Sequence, residues 1–199
     1  MSSRQTRMLL IRHGETPWNV AGRWQGHADP DLTEEGWGQA RSVALALAAE
    51  SLRPWSHIVA SDLSRARQTA SVLAEKLSLS IEIDVRLREL DVGSWSGLTR
   101  AEIEGRDRET LLAFESGEPT IRPGGGESRV EIRERAHDFV RDLAGRRSGA
   151  HVIVVTHLGV IRALVPGAEP TNAERIELVA EEVAARGVDR VKRREDGAL

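Results

Sequence analysis

The chain has 199 residues, of which 40% are hydrophobic and 30% charged, and its formal net charge is −3 at neutral pH. This composition predicts a single domain over residues 1–199 with a substantial core, and the negative net charge argues against a partner such as nucleic acid or an anionic membrane. The chain has no cysteine, which excludes disulfides, thiolate metal sites and cysteine nucleophiles, and the lack of a signal-like or membrane-length apolar run predicts a cytoplasmic protein.

Four short apolar segments, spread along the chain, predict β-strands. They are Met8–Ile11, His57–Ala60, Ile81–Val85 and His151–Val155. The first and the last are continuously hydrophobic, which is typical of parallel strands that are buried on both faces. A mainly parallel sheet is therefore expected.

Helical periodicity fills the intervals between these strands. Apolar residues recur at helical spacing in Thr33–Glu50, where Thr33 can serve as the N-cap. Similar stripes predict helices over Asp62–Leu77, around Ile132–Leu143 and around Ile176–Val183. Strands that alternate with helices predict the α/β class, here a three-layer α/β/α sandwich with a mainly parallel central sheet.

The segment Asp91–Ser128 does not follow this alternation. It contains short helical patterns, a Gly-Glu-Pro turn and three consecutive glycines at positions 124–126. We interpret it as an excursion that caps the active site, and not as a second domain.

Polar residues follow the carboxyl end of every predicted strand, where open α/β sheets bind their ligands. Arg12 and His13 follow the first strand. Arg65, Glu89 and His157 follow the second, third and fourth strands, respectively. Such a set suits a phosphate dianion, because guanidinium groups bind its oxygens, an imidazole can attack phosphorus, and a carboxylic acid can protonate a leaving oxygen.

The residue that supplies this acid is not decided by the pattern alone. Glu15 lies close to His13 in the sequence, whereas Glu89 and Asp91 both follow the third predicted strand. From residue type and position, all three carboxylates remain candidates.

Four ordered motifs carry a resemblance to a known family. The stretches RHGETPWN, SDLSRARQTA, LRELDVGSWSG and VTHLGVIRAL, spread between Leu9 and Leu164, resemble the signatures of the histidine phosphatase superfamily, in its phosphoglycerate-mutase-like branch. Each motif alone is weak, but four in the same order are specific. The resemblance implies a phosphoglycerate-mutase-like fold.

The resemblance also implies a role for each matching residue. His13 would be the phosphate-accepting nucleophile, and Glu89 would be the proton donor in preference to Glu15 and Asp91. The other catalytic residues implied in the phosphate pocket are Arg12, Arg65 and His157. The implied substrate-binding residues are Asn19, Gln25 and, through its backbone N–H, Leu158.

The expected activity is that of a phosphomonoester hydrolase that acts on a small phosphorylated metabolite through a phosphohistidine, without a cofactor. A bound metal is not expected, because the remaining histidines lack the spacing of metal ligands. Two alternatives are a 2,3-bisphosphoglycerate-dependent phosphoglycerate mutase and a non-catalytic relative that binds phosphorylated ligands. The lack of tyrosine and the modest segment at 98–123 disfavour the mutase, and the intact nucleophile and acid disfavour the non-catalytic protein.

Two departures from the family pattern fall near the fourth motif. Leu158 stands where the family commonly has glycine, and the chain after Arg162 is shorter than usual. We therefore expect the wall of the substrate pocket on this side to be altered.

Overall fold

One five-stranded sheet organises the computed structural model, which describes residues 5–50 and 55–186. Its strands are β1 (Arg7–Arg12), β2 (His57–Ala60), β3 (Ile81–Ile83), β4 (His151–Thr156) and β5 (Arg175–Val179). The spatial order is β3-β2-β4-β1-β5, in which the first four strands are parallel and β5 runs antiparallel to β1. The expected mainly parallel sheet is confirmed.

Helices cover both faces of the sheet. In the described ranges they are α1 (Pro17–Val20), α2 (Glu34–Ala49), α3 (Ser64–Leu77), α4 (Arg100–Glu115), α5 (Arg129–Arg146), α6 (Leu158–Leu164) and α7 (Ala180–Arg186). The predicted N-cap at Thr33 is confirmed, since its side chain accepts a hydrogen bond from the backbone N–H of Gly36. No helix of these ranges is both long and apolar enough to cross a bilayer.

Side chains of the central strands alternate between two cores, as the pleat of a β-strand requires. Met8 and Leu10 of β1 pack with α5, α6 and α7, whereas Leu9 and Ile11 pack with α2 and α3 on the opposite face. Burying a side chain of this size contributes about 1.5–3 kcal/mol. The predicted three-layer sandwich is thus confirmed.

The helix expected around Ile176–Val183 is wrong in its first half. Residues Arg175–Val179 form edge strand β5, and helix α7 begins only at Ala180. Ile176 and Leu178 pack against the core while Glu177 between them is exposed, a period of two. The edge of β1 needs a hydrogen-bonding partner, and β5 supplies it.

One further expectation is wrong and one is confirmed. The third strand ends at Ile83 and not at Val85, because the Asp84 side chain caps a 3₁₀ turn that leaves Val85 58% exposed. The segment Asp91–Ser128 contains the short helical pieces that were expected: two 3₁₀ turns at Gly93–Trp95 and Pro123–Gly125, and helix α4, which is broken by non-helical backbone at Asp107.

Candidate active site

The parallel strands β1, β2 and β4 end at the same edge of the sheet. Arg12 is aligned with Thr156, and the backbone N–H of His13 extends this pairing by donating to the Thr156 carbonyl at 2.9 Å. The next residue along β4 is His157, whose ring centroid lies 5.2 Å from that of His13. Sheet register therefore brings the two predicted histidines together.

His13 is held in a defined tautomer. Its Nδ1–H donates to the carbonyl of Gly14 at 2.7 Å, so Nε2 carries the lone pair. The ring is only 2% exposed. Burial lowers the pKa of His13 well below its usual value, and the charges of Arg65 and then Arg12 lower it further, against the opposing effect of the Gly14 bond. A neutral imidazole with a free Nε2 is a competent nucleophile.

His157 is fully buried at the N-cap position of α6. Neither of its ring nitrogens has a hydrogen-bond partner among the described residues. Burial lowers its pKa well below the usual value, and the charge of Arg65 adds to this. Buried polar atoms without partners are rare because each costs about 1–3 kcal/mol, so these two indicate a binding site.

Two arginines stand beside the histidines. Arg65 is fully buried in the first turn of α3 and donates through Nη1 to the Ala28 carbonyl at 2.8 Å and through Nη2 to the Gly26 carbonyl at 2.9 Å. Burial lowers its pKa to about 10, so it remains charged at neutral pH. Arg12 donates through Nη1 to the Pro170 carbonyl at 2.9 Å.

Unpaired nitrogens are concentrated at this edge of the sheet. Eight buried side-chain polar atoms in the described residues lack a partner, and four of them are Nε of Arg12, Nε of Arg65 and both ring nitrogens of His157. Cationic and N–H groups that lack an acceptor can together bind an oxyanion.

Glu89 adjoins these groups with a fixed carboxylate. Its Oε1 accepts hydrogen bonds from the backbone N–H groups of Leu90 and Gly159, both at 2.8 Å. A Cβ on Gly159 would lie 2.2 Å from this oxygen, so a larger residue there would displace the carboxylate. The carboxylate also interacts electrostatically with Arg12 and Arg65.

The other two acid candidates have local structural partners. Glu15 accepts through Oε1 from the Thr33 hydroxyl at 2.8 Å, at the start of α2. Asp91 accepts through Oδ1 from the backbone N–H of Gly93 at 2.9 Å, inside its own turn. The geometry therefore favours Glu89 as the acid.

The predicted substrate-side residues Asn19 and Gln25 meet at Thr16. The Thr16 hydroxyl lies 3.1 Å from Oδ1 of Asn19 and 3.1 Å from Oε1 of Gln25. These contacts orient both amides through their oxygens. Leu158 is the first residue of α6, where the backbone N–H has no acceptor within the helix. Its role as a substrate donor stays a prediction.

Two residues next to the site, Asn172 and Arg135, were not predicted, and His27 lies beside them. Asn172 donates through Nδ2 to the His13 carbonyl at 3.0 Å, and the same nitrogen lies 3.3 Å from Oδ1 of Asn19. His27 and Arg135 both donate to the carbonyl of Glu89, at 2.9 and 3.0 Å. Pro170 and Asn172 thus bring the loop between α6 and β5 against Arg12 and His13.

Arg135 holds the backbone of the Glu89 segment from helix α5. Its Nη1 donates to the carbonyls of Arg86 and Arg88 at 2.6 and 2.7 Å, and Glu127 pairs with the same guanidinium at 2.6 Å. The turn that carries Glu127 requires its glycines, since a Cβ on Gly126 would lie 2.2 Å from the Asp91 carbonyl.

We expect Arg135→Met to leave the carbonyls of Arg86 and Arg88 without this donor, and Glu127 without its ion pair, and to lower the free energy of unfolding by about 2–3 kcal/mol. Displacement of Glu89 should lower kcat by roughly 10-fold or more with little change in KM. Chemical denaturation and steady-state kinetics measure both effects. Arg141→Met, on the exposed side of the same helix, is the control. An Arg135→Met enzyme that loses stability but keeps its kcat would show that the hydrogen bonds of Arg135 stabilise the fold without positioning Glu89.

No group of three or more histidine, aspartate or glutamate side chains that could hold a metal ion occurs in the part of the chain that the structure describes. The site as observed offers only nitrogen donors and one carboxylate.

Comparisons with known proteins agree with this geometry. Residues 8–195 match the family model described as histidine phosphatase superfamily (branch 1). The metal-independent phosphoserine phosphatase of Arabidopsis thaliana is 41% identical over 166 residues, which are 82% of this chain and 69% of that protein. The glucosyl-3-phosphoglycerate phosphatase of Mycobacterium tuberculosis is 39% identical over 169 residues, 81% of this chain and 74% of the relative. The solved structure of mycobacterial glucosyl-3-phosphoglycerate phosphatase with VO3 superposes with a TM-score of 0.77 at 35% identity, covering 86% of this chain and 91% of that one.

Proposed function

The chain belongs to the histidine phosphatase superfamily and is a phosphomonoester hydrolase, and we propose that it cleaves its substrate through a phosphohistidine formed on His13. The observation that carries this proposal is the convergence of unpaired nitrogens from Arg12, Arg65 and His157 around the buried His13 ring. A phosphate dianion would supply the acceptors that these donors lack.

Phosphate binding neutralises the charge of the site. Arg12 and Arg65 provide two positive charges, and neutral His157 donates one N–H. The arriving dianion favours a second proton on His157, because a nearby negative charge stabilises the imidazolium form. These fixed donors stabilise the charge on the phosphoryl oxygens in the transition state, at about 3–4 kcal/mol for each donor. Asn19, Gln25 and the N–H of Leu158 bind the substrate around this centre.

The first chemical step breaks the ester bond. Nε2 of His13 attacks phosphorus in line with the leaving oxygen, and the carboxylic acid of Glu89 transfers its proton to that oxygen. The products are phospho-His13, the free alcohol and the Glu89 carboxylate.

The second step regenerates the enzyme. The Glu89 carboxylate takes a proton from a water molecule as the water oxygen attacks phosphorus, and the P–N bond to His13 breaks. Inorganic phosphate leaves, and Glu89 is again protonated for the next cycle.

The substrate we propose is a small phosphorylated metabolite, handled in the cytoplasm by a single domain that covers residues 1–199. Relatives that are named for phosphoserine and for glucosyl-3-phosphoglycerate support this class. Segment 91–128 would act as the cap, because the backbone N–H of Trp24 pairs with the Leu98 carbonyl and that of Gly97 with the Trp24 carbonyl, beside Asn19 and Gln25.

Phosphate release should proceed without a divalent metal, because the arginines supply the charge that a metal would otherwise provide. We expect a chelator to leave turnover of phosphomonoesters unchanged and vanadate to inhibit, since it adopts the pentacoordinate geometry of the transition state. Phosphate release and phosphoglycerate isomerisation are assayed in parallel on the same preparation. Full loss of activity with the chelator, or isomerisation faster than hydrolysis of every ester tested, would contradict the proposal.

A further inference from the structure

A cavity opens beside the Glu89 carboxylate. It has a volume of about 90 Å³, is partly open to solvent, and lies between the start of α5, helix α6 and Phe114 of α4. Gly159, whose N–H binds Oε1 of Glu89, lines this cavity together with Leu90. The cavity is therefore directly adjacent to the group that protonates the leaving oxygen.

Three arginines line this cavity, which we call the arginine cleft: Arg129, Arg133 and Arg162. Arg162 pairs with Glu169 outside the cleft. The guanidinium of Arg129 stacks over Phe114, 4.2 Å from the ring centroid, and donates through Nη2 to the Phe114 carbonyl at 3.1 Å. Its Nε is buried and has no hydrogen-bond partner in the described residues.

Helix α5 pairs its other arginines with carboxylates. Arg135 binds Glu127, Arg141 binds Asp138 and Arg146 binds Asp142. Arg129 and Arg133, the remaining two arginines of this helix, have no carboxylate partner among the residues that the structure describes, and both of them line the cleft. The same helix thus pairs its other three arginines with carboxylates and leaves two positive charges at the cleft.

The charges of the arginine cleft act on the phosphate site. Burial lowers the pKa of Arg129, and the charge of Arg162 lowers it further. Arg162 also lowers the pKa of Arg12, after the larger effects of burial and of Glu89. Arg162 is therefore close enough to act on both sites, and an anion in the cleft would relieve repulsion between like charges.

We propose that the arginine cleft binds a second oxyanion, carried by the alcohol part of the phosphomonoester. This inference rests on the proposed function, because the role of Glu89 as the acid defines the side on which the alcohol lies. Arg129 is held by Phe114 to present its guanidinium, and Arg133 supplies a second one that has no carboxylate partner within residues 5–50 and 55–186. Substrates that have a carboxylate or a second phosphate near the ester are therefore preferred over neutral esters of the same size.

Matched substrates test this preference. The enzyme is assayed with 3-phosphoglycerate and with glycerol 3-phosphate, which has a hydroxymethyl group in place of the carboxylate. We expect kcat/KM to be roughly 10- to 100-fold higher for the carboxylate, the contribution of charge-assisted hydrogen bonds. Propane-1,3-diol bisphosphate, compared with propyl phosphate, determines whether a second phosphate serves as well as the carboxylate.

The informative variant is Arg133→Gln, because Arg133 has no partner in the described residues that its loss would leave unsatisfied. The ratio of kcat/KM between the two substrates of each pair should fall by roughly 10-fold. Arg133→Lys should retain more of the ratio, since it keeps the charge but loses the forked geometry. Arg141→Gln, a paired arginine on the same helix, is the control and should leave the ratio unchanged.

A binding measurement on an inactive variant tests the oxyanion subsite independently of the proposed mechanism. Calorimetric titration of the inactive His13→Asn variant with the same compounds measures the preference without turnover. Failure to hydrolyse p-nitrophenyl phosphate would contradict the mechanism alone, because the binding preference would still be measured. Equal binding and equal kcat/KM for charged and neutral esters, or a ratio unaffected by Arg133→Gln, would overturn the proposal of an oxyanion subsite.

Discussion

Replacing His13 with asparagine is expected to lower kcat by at least about 10⁴-fold on every phosphomonoester, since no other group can accept the phosphoryl group in the same geometry. Nδ1 of His13 is fixed by the Gly14 carbonyl, so that Nε2 is left for the attack. Asparagine can occupy this buried position and can still hydrogen-bond to Gly14, but it has no nucleophilic nitrogen. The loss is therefore one of chemistry and not of folding.

Quenching the reaction with labelled substrate in an alkaline denaturant measures the phosphoenzyme directly. The native protein should trap label in a bond that is labile to acid and stable to base, as expected for a phosphoramidate. His57→Gln is the matched control, because His57 begins β2 at the opposite edge of the sheet. Label that persists in His13→Asn would instead place the phosphoryl group on another residue, with His157 as the first candidate.

His13→Asn should also change how the free energy of unfolding depends on pH. Histidine in an unfolded chain titrates near ~6.5, whereas burial holds the pKa of His13 and His157 well below this. As the pH falls below ~6.5, the unfolded state binds more protons than the folded state, so the free energy of unfolding decreases. Without one of the two buried imidazoles, His13→Asn should lose less stability between neutral and acid pH. Denaturant titrations across this range measure the difference.

The sequence predicted those parts of the fold and site that follow from local pattern. The apolar runs of β1 and β4 identified the buried parallel strands, and the polar residues after them identified Arg12, His13 and His157. β5 was missed because the apolar residues Ile176 and Val179 also satisfy helical spacing. Only the unpaired edge of β1 decides between the two structures.

Positioning residues were missed for a different reason. Arg135 lies among charged residues of a long helix, where an arginine usually faces solvent, yet it binds three carbonyls of a distant segment. Asn172 lies in a loop whose sequence resembles an ordinary turn, and only tertiary packing brings it to His13. Local pattern carries no signal for contacts that depend on where two separate segments meet.

Glu89→Gln should slow the phosphorylation step by about 10²–10⁴-fold for an alkyl phosphate, whose alkoxide must be protonated as it leaves. The same step with p-nitrophenyl phosphate should change little, because its phenolate leaves without much help. Glutamine can still accept through Oε1 from the N–H groups of Leu90 and Gly159, so the local structure is retained. Single-turnover measurements on both esters isolate this step from later hydrolysis of the phosphoenzyme.

The pH dependence provides an independent criterion for the role of Glu89. The native enzyme needs a neutral His13, and burial keeps the pKa of His13 low enough to preserve this form in mild acid. The pH profile of the alkyl ester should differ from that of the aryl ester wherever the donated proton limits the rate, and Glu89→Gln should remove this difference. Asp91→Asn and Glu15→Gln are matched controls, since both carboxylates have local structural partners, and each should retain the full profile. An equal loss of the phosphorylation rate on both esters would show that Glu89 positions the substrate. The control variant that loses this rate selectively on the alkyl ester would then identify the acid.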